Sequence, residues 1–134
     1  MVDLQMILRQ RDLRVTTPRQ MVFDVLSQAH EPLSLRAVAD LADGIDRSTV
    51  YRTIDTFIAI GVVKVTYLGW KKRFELAEAF NPHHHHIRCV SCGRLAHVEE
   101  PALEEMLESI AQRHGFTMTA HHVELEGTCE KCRT

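Results

Sequence analysis

The sequence predicts an α+β protein of two domains, an N-terminal winged helix-turn-helix and a small C-terminal α/β dimerisation domain. Three observations predict it. Apolar residues recur at helical spacing three times and then switch to strand alternation, giving the order helix, helix, helix, hairpin. Two CxxC pairs, Cys89-x2-Cys92 and Cys129-x2-Cys132, both lie in the C-terminal half. Charge divides between the halves as well. Residues 1–74 hold eleven Lys and Arg against eight Asp and Glu, a net +3. Residues 75–134 hold five against ten, a net −5, together with eight of the nine histidines. The first half can therefore meet a polyanion, while the second repels one and is rich in metal-ligand types. The boundary is placed between domains 1–78 and 79–134, with a hinge over residues 76–83.

Each N-terminal element has its own signal. Thr17-Pro18 opens the first helix, threonine as N-cap and proline as first helical residue, with Val22, Val25 and Leu26 on its apolar side. Ser34 caps the second, with Leu35, Val38 and Leu41 turned inward. After the turn "ADGID" comes "RSTVYRTIDTFIAIGVV", whose Val50, Ile54, Phe57 and Ile58 form one stripe that Gly61 ends. "VVKVTYLGWKKRFEL" is a hairpin around a Gly-Trp-Lys-Lys turn.

In a winged helix-turn-helix the last helix lies in the DNA major groove. Opposite its apolar stripe are Arg52, Ser48 and Thr56, with Thr49 and Tyr51 on the flanks. Arginine bonds guanine bidentately, tyrosine reaches a thymine methyl or a phosphate, and hydroxyls suit phosphate oxygens. Arg19 on the first helix and Lys64, Lys71, Lys72 and Arg73 on the hairpin add cations for the DNA backbone. For any one of these side chains an ordinary solvated helix face is the plainer reading. Element order and charge asymmetry together favour DNA.

In the C-terminal half, "NPHHHHIRCVSCG" places four histidines ahead of the first CxxC pair. No segment approaches the ~20 apolar residues of a membrane span, and the chain is read as cytoplasmic, where stable disulfides are rare. Four thiolates in two knuckles then match tetrahedral structural zinc with no open position. The histidine run enters a strand. There, alternation sends His83 and His85 one way with Ile87 and Cys89, and His84 and His86 the other. Each pair can pinch one ion, so two further ions are expected; a flexible polyhistidine loop gathering metal loosely is the alternative. "LAHVE" is a second strand displaying His97, and "PALEEMLESIAQRHG" a helix with the stripe Leu103, Met106, Leu107 and Ile110. Glu104 borders that stripe, whereas Glu105 faces away. In the last strand His121 shares a face with Val123 and Leu125, and His122 points outward. So few residues bury themselves poorly alone, and a second copy completing the sheet resolves this. A homodimer also presents two recognition helices to a pseudopalindromic operator in double-stranded DNA.

The segments "TPRQMVFDVL", "STVYRTIDTF", "HHHHIRCVSCG", "RHGF" and "CEKC" resemble, in order along nearly the whole chain, the ferric uptake regulator family of metal-responsive repressors. The resemblance implies a dimeric winged-helix repressor that controls metal-uptake genes when loaded with a divalent ion. It implies structural zinc at Cys89, Cys92, Cys129 and Cys132. It further implies a regulatory hinge site of Glu75, His84, His86 and His97, and a secondary site of His83, His85, Glu104 and His121. Pro32 stands where many relatives have a hinge-site histidine, with His30 and Glu31 nearby. His85 stands where iron-sensing relatives have aspartate, and His97 where they have an acid. Imidazole in place of carboxylate shifts preference toward borderline metals, so the regulatory ion is read as Zn2+ or Fe2+, leaning to Zn2+, with Mn2+ or peroxide sensing behind. The reading is of a non-enzyme without a small-molecule substrate or a membrane. From another class come a zinc-dependent hydrolase with Glu104 or Glu75 as base and a metal buffer without duplex affinity.

Overall fold

The computed structural model describes residues 3–80 and 84–133. It divides into two compact units, Met1–Pro82 and His83–Thr134. Among the described residues no helix is long and apolar enough to cross a membrane.

The first unit runs α1 (Leu4–Gln10), α2 (Thr17–Gln28), α3 (Leu35–Leu41), α4 (Arg47–Ala59), β1 (Val63–Leu68) and β2 (Lys71–Leu76). The apolar pattern gives no signal for α1. Asp3 caps it by accepting from the Met6 amide, and Leu4 and Leu8 bury one side of its seven residues. For α2 the cap is Thr16 rather than Thr17. The Thr16 side chain accepts from the Arg19 amide and its carbonyl from the Gln20 amide, so the helix has begun one residue earlier. Ser34 caps α3 as expected, accepting from the Ala37 amide. Leu41, however, is 59% exposed, and Ala42 fills the inward position instead. At about 100° per residue Ala42 falls near the direction of Leu35, while Leu41 falls well round the helix.

The same geometry decides α4. Val50, Ile54 and Phe57 are buried, but Ile58 lies at the rim and Thr53 replaces it in the buried stripe. The Thr53 hydroxyl donates to the Thr49 carbonyl at 2.7 Å, so its polar atom is satisfied. Gly61 follows the end of α4 at φ 79, a left-handed conformation that suits glycine. β1 and β2 pair antiparallel from Val63↔Leu76 to Leu68↔Lys71, leaving only Gly69 and Trp70 as the turn. Lys71 and Lys72 thus belong to the strand, not to the turn. Leu33, between α2 and α3, bridges Phe74 with paired backbone hydrogen bonds of 2.9 and 2.7 Å, which ties the helices to the hairpin. Phe57, wholly buried, lies in the core with Leu8, Val22, Val38 and Val62. Phe57→Ala is expected to cost about 3–5 kcal/mol, whereas Ile58→Ala should cost under about 1 kcal/mol. Urea titration of the full chain followed by circular dichroism measures both.

The second unit contains β3 (His85–Cys89), β4 (Leu95–Val98), α5 (Pro101–Arg113) and β5 (Glu124–Gly127). Its sheet order is β4-β3-β5, with β4 antiparallel and β5 parallel to the central β3. Pro101 starts α5 and Gly115 follows its end at φ 81. The buried residues described in this unit are Cys89, His84, His85 and His86. The apolar stripe of α5 is only partly covered: Leu103 and Leu107 are half-buried, whereas Met106 (61%) and Ile110 are exposed, as is Leu125 on β5. Half of the expected apolar stripe is therefore surface, and side chains with ligand chemistry hold the buried positions.

Candidate functional site

Among the described residues, three clusters of ligand-type side chains lie in the second unit. The four sulfurs of Cys89, Cys92, Cys129 and Cys132 all lie within 4.8 Å of one another, and all four cysteines are free. Cys89 ends β3, and the chain turns back at Gly93, whose amide donates to the Cys89 carbonyl at 2.9 Å. The second knuckle closes likewise, the Cys132 and Arg133 amides both donating to the Cys129 carbonyl at 2.9 Å. A bond from the Val90 amide to the Gly127 carbonyl joins the two turns. Cys92 and Cys129 sulfurs stand 3.7 Å apart. A tetrahedral ion with ~2.3 Å bonds to sulfur requires an edge of ~3.8 Å, so the donor set fits zinc.

The protonation of these thiols follows from the crowding. Backbone N–H groups of Cys129 and Cys92 donate to the Cys89 sulfur and pull its pKa down to about 6. Beside Cys129 and Cys92, Cys132 keeps its proton and is pushed up to about 12. Four adjacent sulfurs cannot all be anionic without a cation among them, so loading an ion here must release protons. Arg94, paired with Glu130 at 3.4 Å, adds a positive charge beside the knuckle.

The second cluster is His85, Glu104 and His121. One oxygen of Glu104 stands 2.6 Å from Nε2 of His85, and the other stands 2.7 Å from Nε2 of His121. β3, the first turn of α5 and the approach to β5 supply one group each. Glu104 thus occupies the inward position, and Glu105 is exposed. His83 lies outside the described residues.

The third cluster lies across β3. His86 pairs with His97 in the register of β3 and β4. The His84 ring stacks on His97 at 4.1 Å and stands edge-on to His86 at 4.8 Å. His84 and His86 are buried; His97 is about half exposed and meets Glu99 at 3.1 Å. Strand alternation sends His85 to one cluster and His86 to the other. Glu75 belongs to the first unit. There it is buried on β2, accepting from the Thr66 hydroxyl at 3.0 Å and meeting Lys64 at 3.7 Å.

On α4, Arg52 and Ser48 are exposed, while Thr49, Thr56 and Tyr51 are half-buried and Tyr51 packs on the core. Asp46 is the N-cap of this helix, and an Asp directly before a helical run is a readable capping signal. Asp46 accepts from the hydroxyls of Ser48 and Thr49 and from the Thr49 amide. These bonds, that from Ser48 foremost, hold its carboxyl down to about 2. The two hydroxyls offered to phosphate are thus engaged by the cap. Arg52 Nη2 donates to Thr49 Oγ1 at 3.2 Å, which steers the guanidinium toward the helix start, and the Thr56 hydroxyl donates back to the Arg52 carbonyl. Arg19 donates to the Arg14 carbonyl at 2.7 Å. Lys71 and Lys72 are exposed, with Lys72 Nζ 5.5 Å from the Phe74 ring centre.

Comparison with known proteins adds independent findings. The model of the ferric uptake regulator family matches residues 10–126. The ferric uptake regulation protein of Campylobacter jejuni subsp. jejuni is 37% identical over 135 residues, spanning 94% of this chain and 83% of that protein. A ferric uptake regulator from Pseudomonas aeruginosa, solved with manganese, is similar at TM-score 0.76 and 26% identity, over 97% of this chain and 99% of that one. The Vibrio cholerae ferric uptake regulator, whose crystal structure reveals rearrangement of its DNA-binding domains, matches at TM-score 0.74 and 28% identity, over 95% of this chain and 100% of that one.

Proposed function

The chain belongs to the ferric uptake regulator family, and from that premise we propose that it is a homodimeric repressor whose grip on operator DNA depends on a divalent ion. One observation carries the reading. A single short strand, β3, directs His85 toward Glu104 and His121 on one side and His86 toward His97 and His84 on the other, and it ends in a four-sulfur knuckle. A hydrolase needs one open ion and a cleft; a strand dividing its ligands among three clusters suits sensing.

Each cluster has its own part in the proposal. Cys89, Cys92, Cys129 and Cys132 would hold structural zinc, with β3 and the approach from β5 as their frame. His84, His86 and His97, joined by Glu75 of the DNA-binding unit, are the regulatory ligands. His85, Glu104 and His121, with His83, are the secondary ones. A divalent ion held there would supply the positive charge that carboxylate and imidazole ligands share. Ligands drawn from both units favour, once joined, the placement of the two reading heads that spans both half-sites. A shift from ~1% to ~99% of that placement needs ~10⁴-fold tighter binding to it. The domain rearrangement of the Vibrio cholerae protein supports placement as the variable. The exposed half of the apolar stripe of α5 and the exposed β5 supply the surface on which a second copy docks. Imidazole dominates both histidine clusters, which favours Zn2+ over Fe2+, and Mn2+ least.

The test is metal analysis of the purified chain together with affinity for a duplex that the loaded protein recovers from random-sequence DNA. Zn(II), Fe(II) and Mn(II) are each buffered, with chelator as the zero point. Zn(II) should tighten binding at the lowest free concentration; affinity indifferent to every ion would end the proposal. Arg52→Ala should cost about 1–3 kcal/mol of base discrimination. Lys71→Ala should instead weaken all duplexes alike and lower the salt slope by about one. Titrations at several salt concentrations separate the two.

A further inference from the structure

We propose that Trp70, at the tip of the β1–β2 hairpin, is a DNA-contacting residue of this protein, an apolar wedge that enters the minor groove beside the base pairs read by α4. The inference rests on the DNA-binding reading above and gives it a residue which that reading leaves idle.

Trp70 is the sole tryptophan of the chain, and its exposure is 101%. A single exposed apolar side chain is ordinary, but the setting of this one is not. The strands pair up to Leu68↔Lys71, so only Gly69 and Trp70 make the turn. Gly69 has φ 65 and Trp70 does not have positive φ, as a tight turn of the II′ type requires. The tip is therefore narrow and stiff, and the indole projects from it with no loop to fold back over it. Next to it are Lys71 and Lys72, both exposed, and Arg73; Tyr67, opposite Lys72, is exposed as well. Residues 63–73 contain four cations and no acid.

An apolar plate flanked by cations on a thin finger is complementary to a groove with a narrow floor and anionic walls. The minor groove is ~6 Å wide and lined by phosphates, and proteins that use it insert apolar side chains between base steps while Lys and Arg hold the backbone. An acidic groove on a protein would share the charge but would not respond to a guanine amino group on its floor. In a winged helix-turn-helix the hairpin also travels with the recognition helix.

The sole tryptophan makes the proposal readable directly. In the full-length, metal-loaded protein, adding the duplex recovered from random-sequence DNA should shift Trp70 emission and reduce its quenching by acrylamide severalfold, and chelator should reverse both. Trp70→Ala should lose about tenfold in affinity, the low end for a stacked aromatic side chain, with melting temperature and salt slope unchanged. Trp70→Phe should keep most of the affinity. Duplexes carrying G·C or I·C flanking pairs present the same major groove and differ only by a minor-groove amino group. The wild type should prefer I·C flanks, and Trp70→Ala should not distinguish them. A tryptophan equally quenchable on saturating DNA, an unweakened Trp70→Ala protein, or a wild type indifferent to the flanks overturns the proposal while leaving DNA binding intact. If the loaded wild type recovers no duplex at all, the DNA-binding reading itself falls and takes the wedge with it.

Discussion

Replacing Cys92 by serine, or stripping the metal from the wild type with a strong chelator, should unfold the unit His83–Thr134 and leave the unit Met1–Pro82 folded. The reason is where each unit keeps its apolar surface. In the first, wholly buried residues such as Phe57, Leu8, Ile54 and Val22 form a core independent of any ion. In the second, α5 buries no residue, and the buried positions described are Cys89 and three histidines. Structural zinc in small domains binds with an apparent ~10–16 kcal/mol, whereas whole domains are stable by only ~5–15 kcal/mol. Without the ion the second unit has too little left to offset its chain entropy. Two-dimensional NMR of the full chain should show amide signals of residues 84–133 collapsing while those of 3–80 persist. Serine keeps the shape of cysteine but not the thiolate, so packing alone cannot explain a loss. If the chelated protein kept the shifts of β3, β4 and β5, the four sulfurs would not be holding that unit together.

That asymmetry between the units also explains what was readable in advance. Helix order, the hairpin and the Ser34 cap follow from local chemistry, and local chemistry decides them in the fold. The side chains that went astray sit where a neighbour decides. Leu41 and Ile58 are apolar and near the stripe, but Ala42 and Thr53 face the core more squarely, and only the packed helices reveal that. α1 is seven residues with two buried leucines, too short for periodicity to register, yet its cap and its contact with the core hold it. Alternation along the histidine run assigns His85 and His86 to opposite faces without any tertiary information, because a strand permits nothing else. That Glu104 meets both His85 and His121 needs the first turn of α5 brought up to β3, which helical phase narrows but does not supply. The engagement of Ser48 and Thr49 by Asp46 is wholly local, yet a hydroxyl on a helix face carries the same signal whether it meets a ligand or the helix's own cap.

His86→Ala should abolish the metal-dependent part of operator affinity, a loss of about 10²–10⁴-fold at saturating ion, and leave the weak affinity of the chelated protein where it was. His86 is buried, sits in register with His97 and lies 4.8 Å from the His84 ring, so its loss removes one of that group's two buried imidazoles. His85, its neighbour in sequence, faces Glu104 at 2.6 Å and belongs to a different cluster. His85→Ala is therefore the matched control: same strand, adjacent position, similar burial, other ion. Each variant should bind one ion fewer per chain than the wild type, and both should keep the zinc held by Cys89, Cys92, Cys129 and Cys132. Only His86→Ala should lose the coupling to DNA in full, because coupling requires that the ion bind one placement of the reading heads better than the others. An ion that fills the cluster equally in every placement would shift nothing, however tightly held. Measuring ion affinity with and without the duplex closes the cycle. The wild type should bind its regulatory ion more tightly on DNA by the same factor as the ion tightens DNA, and His86→Ala should show no such factor. If His86→Ala kept that reciprocal gain, the switch would have to be sought among His85, Glu104 and His121 instead.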